Sequence, residues 1–236
     1  MKLNRYLEST VLKPTVTERE IDLLLEEAIE AQFIGVCVPP FWVKKAKREL
    51  QNQDIQVVTV IGFPFGFETT ETKVAEAKTA IQNGADELDV VWSQTAFHSG
   101  MSWPKIELAQ LAKVCHESER ILKVIVETAY LTPVQIREAC LICQDAGADF
   151  VKTSTGYAPY GARVEDVALM RQVLPSTLGI KASGGIKTLE QALAVQAHVH
   201  FFGVHHDIVK ESINRRAQCS QGLQGACVVA CFEQGF

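Results

Sequence analysis

Residues 147–185, GADFVKTSTGYAPYGARVEDVALMRQVLPSTLGIKASGG, hold one whole unit of the pattern on which the chain is built. Gly147 precedes a short β-rich run, Phe150–Thr153, which ends in a loop of hydroxyls and glycine. A helical stretch follows, and a second run, Gly179–Ala182, ends in another such loop. Each run carries a lysine near its C-terminal end, Lys152 and Lys181. Strand, helix and strand in that order, with no tight turn between the strands, predict a parallel pair joined by a helical crossover.

The unit recurs along the chain. Six further runs read as strands: Leu7–Thr10, Gly35–Val38, Val57–Ile61, Glu87–Val91, Lys123–Glu127 and Phe201–Val204. Helix starts between them are marked by capping boxes at Thr17-Glu-Arg-Glu20 and Thr188-Leu-Glu-Gln191, and by Pro133 at a first helical position after Thr132. Gly35, Gly84 and Gly147 are expected to close helices before the next strand. Eight units on one uninterrupted chain predict an α/β fold, a single (β/α)8 TIM barrel over residues 1–214. A tail of unassigned order follows over 215–236. An open doubly wound sheet is the alternative, but no GxGxxG follows the first run to give it a dinucleotide site.

Composition agrees with one such domain. The chain has 236 residues, 47% hydrophobic and 22% charged, enough apolar volume for a full core and too little charge for disorder. No apolar run reaches membrane-spanning length, and MKLNRYLEST lacks the basic and apolar segments of a secretory signal, so a membrane partner is not expected. A net charge of −5, with signs mixed, argues against a nucleic-acid surface. Seven cysteines without a disulfide spacing suggest a reduced, cytoplasmic setting. Cys140 and Cys143 form a CxxC inside a helical stretch and read as packing residues. His198, His200, His205 and His206 cluster in sequence without a metal-binding spacing, so no metal is assigned to them. Trp92 and Trp103 read as packing residues too.

Side-chain alternation points to a site. One parity carries Val36, Val38, Val58, Val60, Leu88, Val90, Val124, Val126 and Val151, which suit a layer against outer helices. The other carries Cys37, Asp89, Lys123, Lys152 and Lys181, directed into the barrel. Long cations are rarely buried without partners, so three lysines and an aspartate in one interior mark chemistry. Lys152 and Lys181 lie on successive strands at the end where barrels keep their active sites. A like charge nearby, with partial desolvation, favours a neutral amine able to attack a carbonyl. Asp89 is placed to move a proton or orient a water. Ser183-Gly184-Gly185, after the seventh run, suits phosphate binding through backbone N–H groups, with Gly156 as a further contributor.

The segments GADELDVV, LKVIVETAYLT, DFVKTSTGY and IKASGGIKTLEQAL resemble the signature segments of deoxyribose-phosphate aldolases. The likeness extends upstream through YLESTVLKPTVT, GVCVPPFWVKKAKREL and VVTVIGFPFGFETTETKVAEAKTAIQNGADE, and covers about residues 5 to 195. It implies a class I aldolase that cleaves 2-deoxy-D-ribose 5-phosphate reversibly to acetaldehyde and D-glyceraldehyde 3-phosphate, without metal or organic cofactor. It implies Lys152 as the Schiff-base lysine, Lys181 as the lysine that perturbs it and shares in proton transfer, and Asp89 as the relay carboxylate. Lys123, Cys37, Thr153, Gly156, Ser183, Gly184, Gly185 and Gly203 become its substrate-binding residues. Its partners are the small sugar phosphate and aldehydes, and the family pattern implies a homodimer or homotetramer.

This chain departs from the family in places. After the eighth run the family has a glycine followed by small and hydroxyl residues. Here the stretch reads Phe202-Gly203-Val204-His205-His206-Asp207-Ile208-Val209-Lys210, about two residues short and without the serines. Phosphate held through His205 and His206, a less phosphorylated substrate and a damaged pocket all fit this; a locally altered reading frame would also produce it. Weaker activity on the phosphorylated sugar is expected. Glu8 stands where the family has an aspartate, while Tyr157 keeps its aromatic character. Another imine-forming aldolase, or a barrel that binds a sugar phosphate without turnover, are the alternative functions.

Overall fold

A computed structural model describes residues 3–186, 189–196, 199 and 201–205. In chain order the elements are β1 (Leu7–Thr10), α1 (Glu18–Ala31), β2 (Gly35–Val38), α2 (Val43–Glu49), β3 (Gln56–Ile61), α3 (Thr70–Gln82), β4 (Glu87–Val91) and α4 (Gln94–His98). Then come α5 (Trp103–Glu117), β5 (Ile121–Ile125), α6 (Pro133–Ala146), β6 (Phe150–Lys152), α7 (Val164–Val173), β7 (Gly179–Ser183), α8 (Leu189–Gln196) and β8 (Phe201–His205). The architecture is a curled parallel sheet wrapped by helices. Each strand pairs with its successor, and β8 pairs with β7 on one side and β1 on the other, Thr10 standing opposite His205. No described helix is long and apolar enough to cross a membrane. The chain beyond His205, with the 215–236 tail, and Thr188 of the second capping box lie outside the described residues.

Local sequence explains the helix ends. Thr17 and Glu20 form the expected capping box on α1, and Thr132 and Gln135 form another on α6, with Pro133 in its first turn. Gly147 ends α6 in the left-handed region at φ 87°, which costs glycine little. Gly35 does something else. Gln32 takes the left-handed cap of α1, and Gly35 begins β2, where a Cβ would sit 3.1 Å from the Gln56 carbonyl and 3.4 Å from Glu8 Cγ. Its missing side chain makes room for the stem of Glu8.

The main core lies between sheet and helices, where Val36, Val38, Leu88, Val90, Val124, Val126 and Val151 are buried as expected. Each such side chain contributes roughly 1.5–3 kcal/mol relative to exposure. Val58 and Val60 correct the expected alternation: they pack with Cys37 in a separate inner cluster, and Val57 and Ile61 take the outer layer. Register shows why, since Val58 stands opposite Cys37 and Glu87, and Val60 opposite Asp89. Strand β5 begins two residues before the expected run and stops at Ile125, because Glu127 turns left-handed at φ 51° and opens a short 3-10 turn over Thr128–Tyr130. Cys140 and Cys143 are free, buried packing residues of α6, and Trp92 is buried with its Nε1 donating to the Val126 carbonyl at 3.2 Å.

Candidate active site

Asp89 is the meeting point of the interior. Its Oδ2 accepts from Lys152 Nζ at 2.7 Å and from Lys181 Nζ at 2.8 Å. Strand register brings them together: Lys152 stands opposite Lys181 across β6 and β7, and Asp89 opposite Lys123 across β4 and β5. All four side chains are buried.

Two further carboxylates, Glu8 and Glu87, complete the network. Lys181 also pairs with Glu8 Oε2. Lys123 pairs with Glu87 Oε2, with Glu8 Oε1 at 3.3 Å and with Asp89 Oδ1 at 3.4 Å. Three lysines therefore face three carboxylates. Isolated buried charge is prohibitive, and this pairing is what makes the interior tolerable. Glu87 was legible in principle, because it shares the parity of Asp89 two residues on.

Electrostatics separate the lysines. Burial pulls the Lys181 ammonium down, but Asp89 and Glu8 outweigh it and hold the group above the usual lysine value. Lys123 is held well above it by Glu8, Asp89 and Glu87, again against burial. Burial pushes the Asp89 carboxyl up, and the charges of Lys152, Lys181 and Lys123 overcome that and hold it well below the ordinary carboxylate range. Among the described residues Lys152 has one carboxylate at ion-pair distance, where Lys181 has two and Lys123 three. Lys152 and Lys181 are thus not set ammonium directly against ammonium, as expected from their neighbouring strands; the Asp89 carboxylate stands between them.

The loops at the mouth are stitched together. Thr153 Oγ1 donates to the Ser183 carbonyl at 3.2 Å, the Ser183 amide donates to Thr153 Oγ1 at 3.1 Å, and Ser183 Oγ donates to the Ser154 carbonyl at 2.6 Å. Thus the hydroxyls of Thr153 and Ser183 bind loop to loop. Gly184 and Gly185 both have positive φ, 74° and 67°, and Gly156 has 90°. A Cβ on Gly161 would fall 2.1 Å from the Gly184 carbonyl carbon, so the two loops touch backbone to backbone. Tyr157 ties the same region down: its OH donates to the Leu12 carbonyl at 3.2 Å and its ring meets Phe63 edge-on. Cys37 is buried, and desolvation pushes its thiol up to about 12, so it lines the interior as a neutral group beside Val58 and Val60. Gly203 lies in β8, opposite Glu8 and Ser183. The stretch from His206 to Lys210 lies outside the described residues, as do His198 and His200.

Glu127 went unnoticed in the sequence. It is buried, and its Oε2 accepts from the Thr155 amide at 3.0 Å and from Thr155 Oγ1. A non-glycine residue in the left-handed region costs roughly 1–3 kcal/mol. Nothing in the local composition announces that conformation.

Comparison with known proteins bears on this geometry. A sequence model of DeoC/LacD family aldolases matches residues 9–206. The chain is 49% identical to the deoxyribose-phosphate aldolase of Streptococcus gordonii over 194 residues, 82% of this chain and 88% of that one. It is equally similar, at 49%, to that of Thermococcus kodakarensis, over 81% of this chain and 87% of the relative. Among solved structures, an aldolase called QR15 superposes with a TM-score of 0.84 at 37% identity, covering 92% of this chain and 99% of its own. A tetrameric deoxyribose phosphate aldolase from Aeropyrum pernix superposes with a TM-score of 0.81 at 31% identity, over 90% and 91% of the two chains.

Proposed function

This chain belongs to the DeoC/LacD family of aldolases, and from that premise we propose that it cleaves 2-deoxy-D-ribose 5-phosphate reversibly to acetaldehyde and D-glyceraldehyde 3-phosphate through an imine on Lys152. The observation that carries the reading is the unequal pairing of the three lysines. Extra carboxylate partners stabilise an ammonium, so Lys181 and Lys123 stay charged. Lys152, with one partner and a place nearest the loops, is the amine placed to act as nucleophile.

The steps follow from the groups present. Neutral Lys152 Nζ adds to the C1 aldehyde, and loss of water leaves a protonated imine. A two-carbon product fixes the broken bond as C2–C3. The C3 hydroxyl gives up its proton, its oxygen electrons form the new carbonyl, and the C2–C3 pair flows into the imine to give an enamine. Protonation at C2 and addition of water release acetaldehyde and return the amine. Asp89, freed of its contact with the Lys152 ammonium once the imine forms, and Lys181, on the same carboxylate, are the proton carriers. Cys37, Val58 and Val60 supply an apolar wall.

For the phosphate, the turn Ser183-Gly184-Gly185 offers backbone N–H groups at the end of β7, with Gly156 close to Gly184. The altered stretch after Gly203 weakens that grip. A complete (β/α)8 barrel over 1–214, a homodimer or homotetramer and a cytoplasmic, reduced setting belong to the same reading. The four described cysteines, all free thiols, are in keeping with it.

Borohydride reduction in the presence of acetaldehyde tests the chemistry. A stable adduct on Lys152, absent from an inactive Lys152→Ala variant, is the expected result. An unlabelled Lys152 with full activity in Lys152→Ala would end the assignment. Parallel assays on deoxyribose 5-phosphate and unphosphorylated deoxyribose test the pocket, and a preference of several orders of magnitude for the phosphorylated sugar would show its grip to be intact.

A further inference from the structure

Glu127 takes no part in the steps above, yet its geometry is unusual in this chain. Ile125, the last residue of β5, stands opposite Lys152. Glu127 follows two residues on, in the left-handed turn beyond the strand end and beside the stretch of chain that leaves β6. Among the described residues the other non-glycine positions with positive φ, Gln32 and Glu119, are exposed at helix ends, whereas Glu127 is 3% exposed. One of its oxygens is occupied by Thr155. The other, Oε1, is buried without a hydrogen-bond partner among the described residues. A strained, buried carboxylate with an unused oxygen points to a role that the surrounding structure enforces.

Its partner lies three residues beyond Lys152. Thr155 Oγ1 gives its proton to Glu127 and accepts from the Tyr157 amide at 3.1 Å, so the loop after β6 is fixed by the carboxylate. The Val126 amide donates to the Lys152 carbonyl at 3.0 Å and the Thr128 amide to the Thr153 carbonyl at 2.9 Å, which holds the backbone on either side of Glu127 against the same loop.

We propose that Glu127 is a positioning residue for the reaction at Lys152, clamping the loop through Thr155 and setting a second negative charge beside the amine that favours the cationic imine. The proposal rests on the Schiff-base reading. The other groups facing Lys152 are Asp89 on β4, which pairs with it, Lys181 on β7, which shares the same Asp89 oxygen, and the Cys37 thiol on β2, which feels its charge. Glu127 itself bonds Thr155 and feels the charge of Lys152 from beyond ion-pair distance, with Asp166 of α7 close to the adjoining Thr128. Burial pushes its carboxyl up, and the Thr155 hydroxyl and amide and the Lys152 charge pull against that, so the charges of Glu127 and Lys152 support each other.

The test is the rate of borohydride-trapped adduct formation with acetaldehyde as a function of pH. Wild-type protein comes first, and absence of any adduct there sinks the Schiff-base reading itself. Given that adduct, Glu127→Gln keeps an acceptor for Thr155 and removes the charge. The trapping rate should fall about tenfold or more. The acid limb of the curve should move to lower pH by about half a unit or more, because a protonated amine is less favoured without the nearby anion. Thr155→Val loosens the clamp and keeps the charge, so it should slow trapping without moving the limb. Glu127→Asp, with its charge drawn back by one carbon, should fall between wild type and Glu127→Gln. It carries the test if Glu127→Gln does not fold. A folded Glu127→Gln or Glu127→Asp whose curve superimposes on wild type overturns the proposal, as does a Thr155→Val shift as large as that of Glu127→Gln.

Discussion

Lys73 and Glu107 form an ion pair at 3.0 Å between α3 and α5, with side-chain exposures of 0% and 1%. The Glu107 carboxylate also accepts from Thr70 Oγ1 at 3.3 Å and from the Ser93 amide at 3.1 Å, so no part of it depends on water. Removing one member strands a buried charge, which costs about 3–5 kcal/mol. Lys73→Met alone should lower the denaturation midpoint accordingly, and Lys73→Met with Glu107→Leu should recover most of that loss. Urea titrations of the two variants decide it; a single variant as stable as wild type would show the pair to be idle.

Gly161 should tolerate no side chain. Its added methyl would meet the Gly184 backbone, and neither partner is a flexible side-chain end. Gly161→Ala is expected to displace the turn after β7 by some tenths of an ångström to an ångström. A displacement of that scale at a reacting centre costs on the order of 10²-fold in kcat/KM. Steady-state kinetics beside a circular-dichroism spectrum separate this from general unfolding, and unchanged kinetics in a folded variant would contradict it.

Acid stability has a readable contribution at the start of α1. Lys13 and the Thr17 amide and hydroxyl hold the Glu20 carboxyl down to about 2, from an ordinary 4.5. A carboxyl depressed by folding stabilises the native state above its unfolded value and loses that contribution as pH falls through its folded value. Glu20→Gln should therefore flatten the stability curve between about pH 4.5 and 2, with little change in slope above that window. Melting temperatures of both proteins across the window check the sign. Thr17→Ala, which breaks the capping box from the other side, should cost about 1 kcal/mol.

Cys37 should be inert in the native protein. Its thiol, pushed up to about 12 by burial with Asp89 adding to the effect, is un-ionised at neutral pH, and thiolate is the reactive form. Iodoacetamide labelling followed by peptide mapping should leave Cys37 unmodified until the chain is unfolded. Rapid native labelling at that residue would refute the arrangement drawn for the inner wall.

Much of the arrangement could be read from the sequence wherever polar and apolar positions alternate. Asp89, Lys123, Lys152 and Lys181 interrupt apolar strands at one parity, and the structure draws them together in the interior. Where alternation is missing, nothing local tells one strand face from the other. Val57-Val58-Thr59-Val60-Ile61 is apolar on nearly every position, and only pairing with β2 and β4 shows that Val58 and Val60 face inward. Gly35 looked like a helix terminator, since no local signal reports that a side chain 27 residues earlier needs its space. The Lys73–Glu107 pair joins two helices 34 residues apart, and the left-handed turn at Glu127 is imposed by tertiary contacts. Neither has a spacing rule behind it.

The bond between Lys181 and Glu8 spans 173 residues. The two ends of the described chain must therefore meet before Lys181 has that counterion. A fragment lacking its opening segment would keep every proposed catalytic side chain, Lys152, Lys181 and Asp89, and still lack the electrical balance that lets them work together.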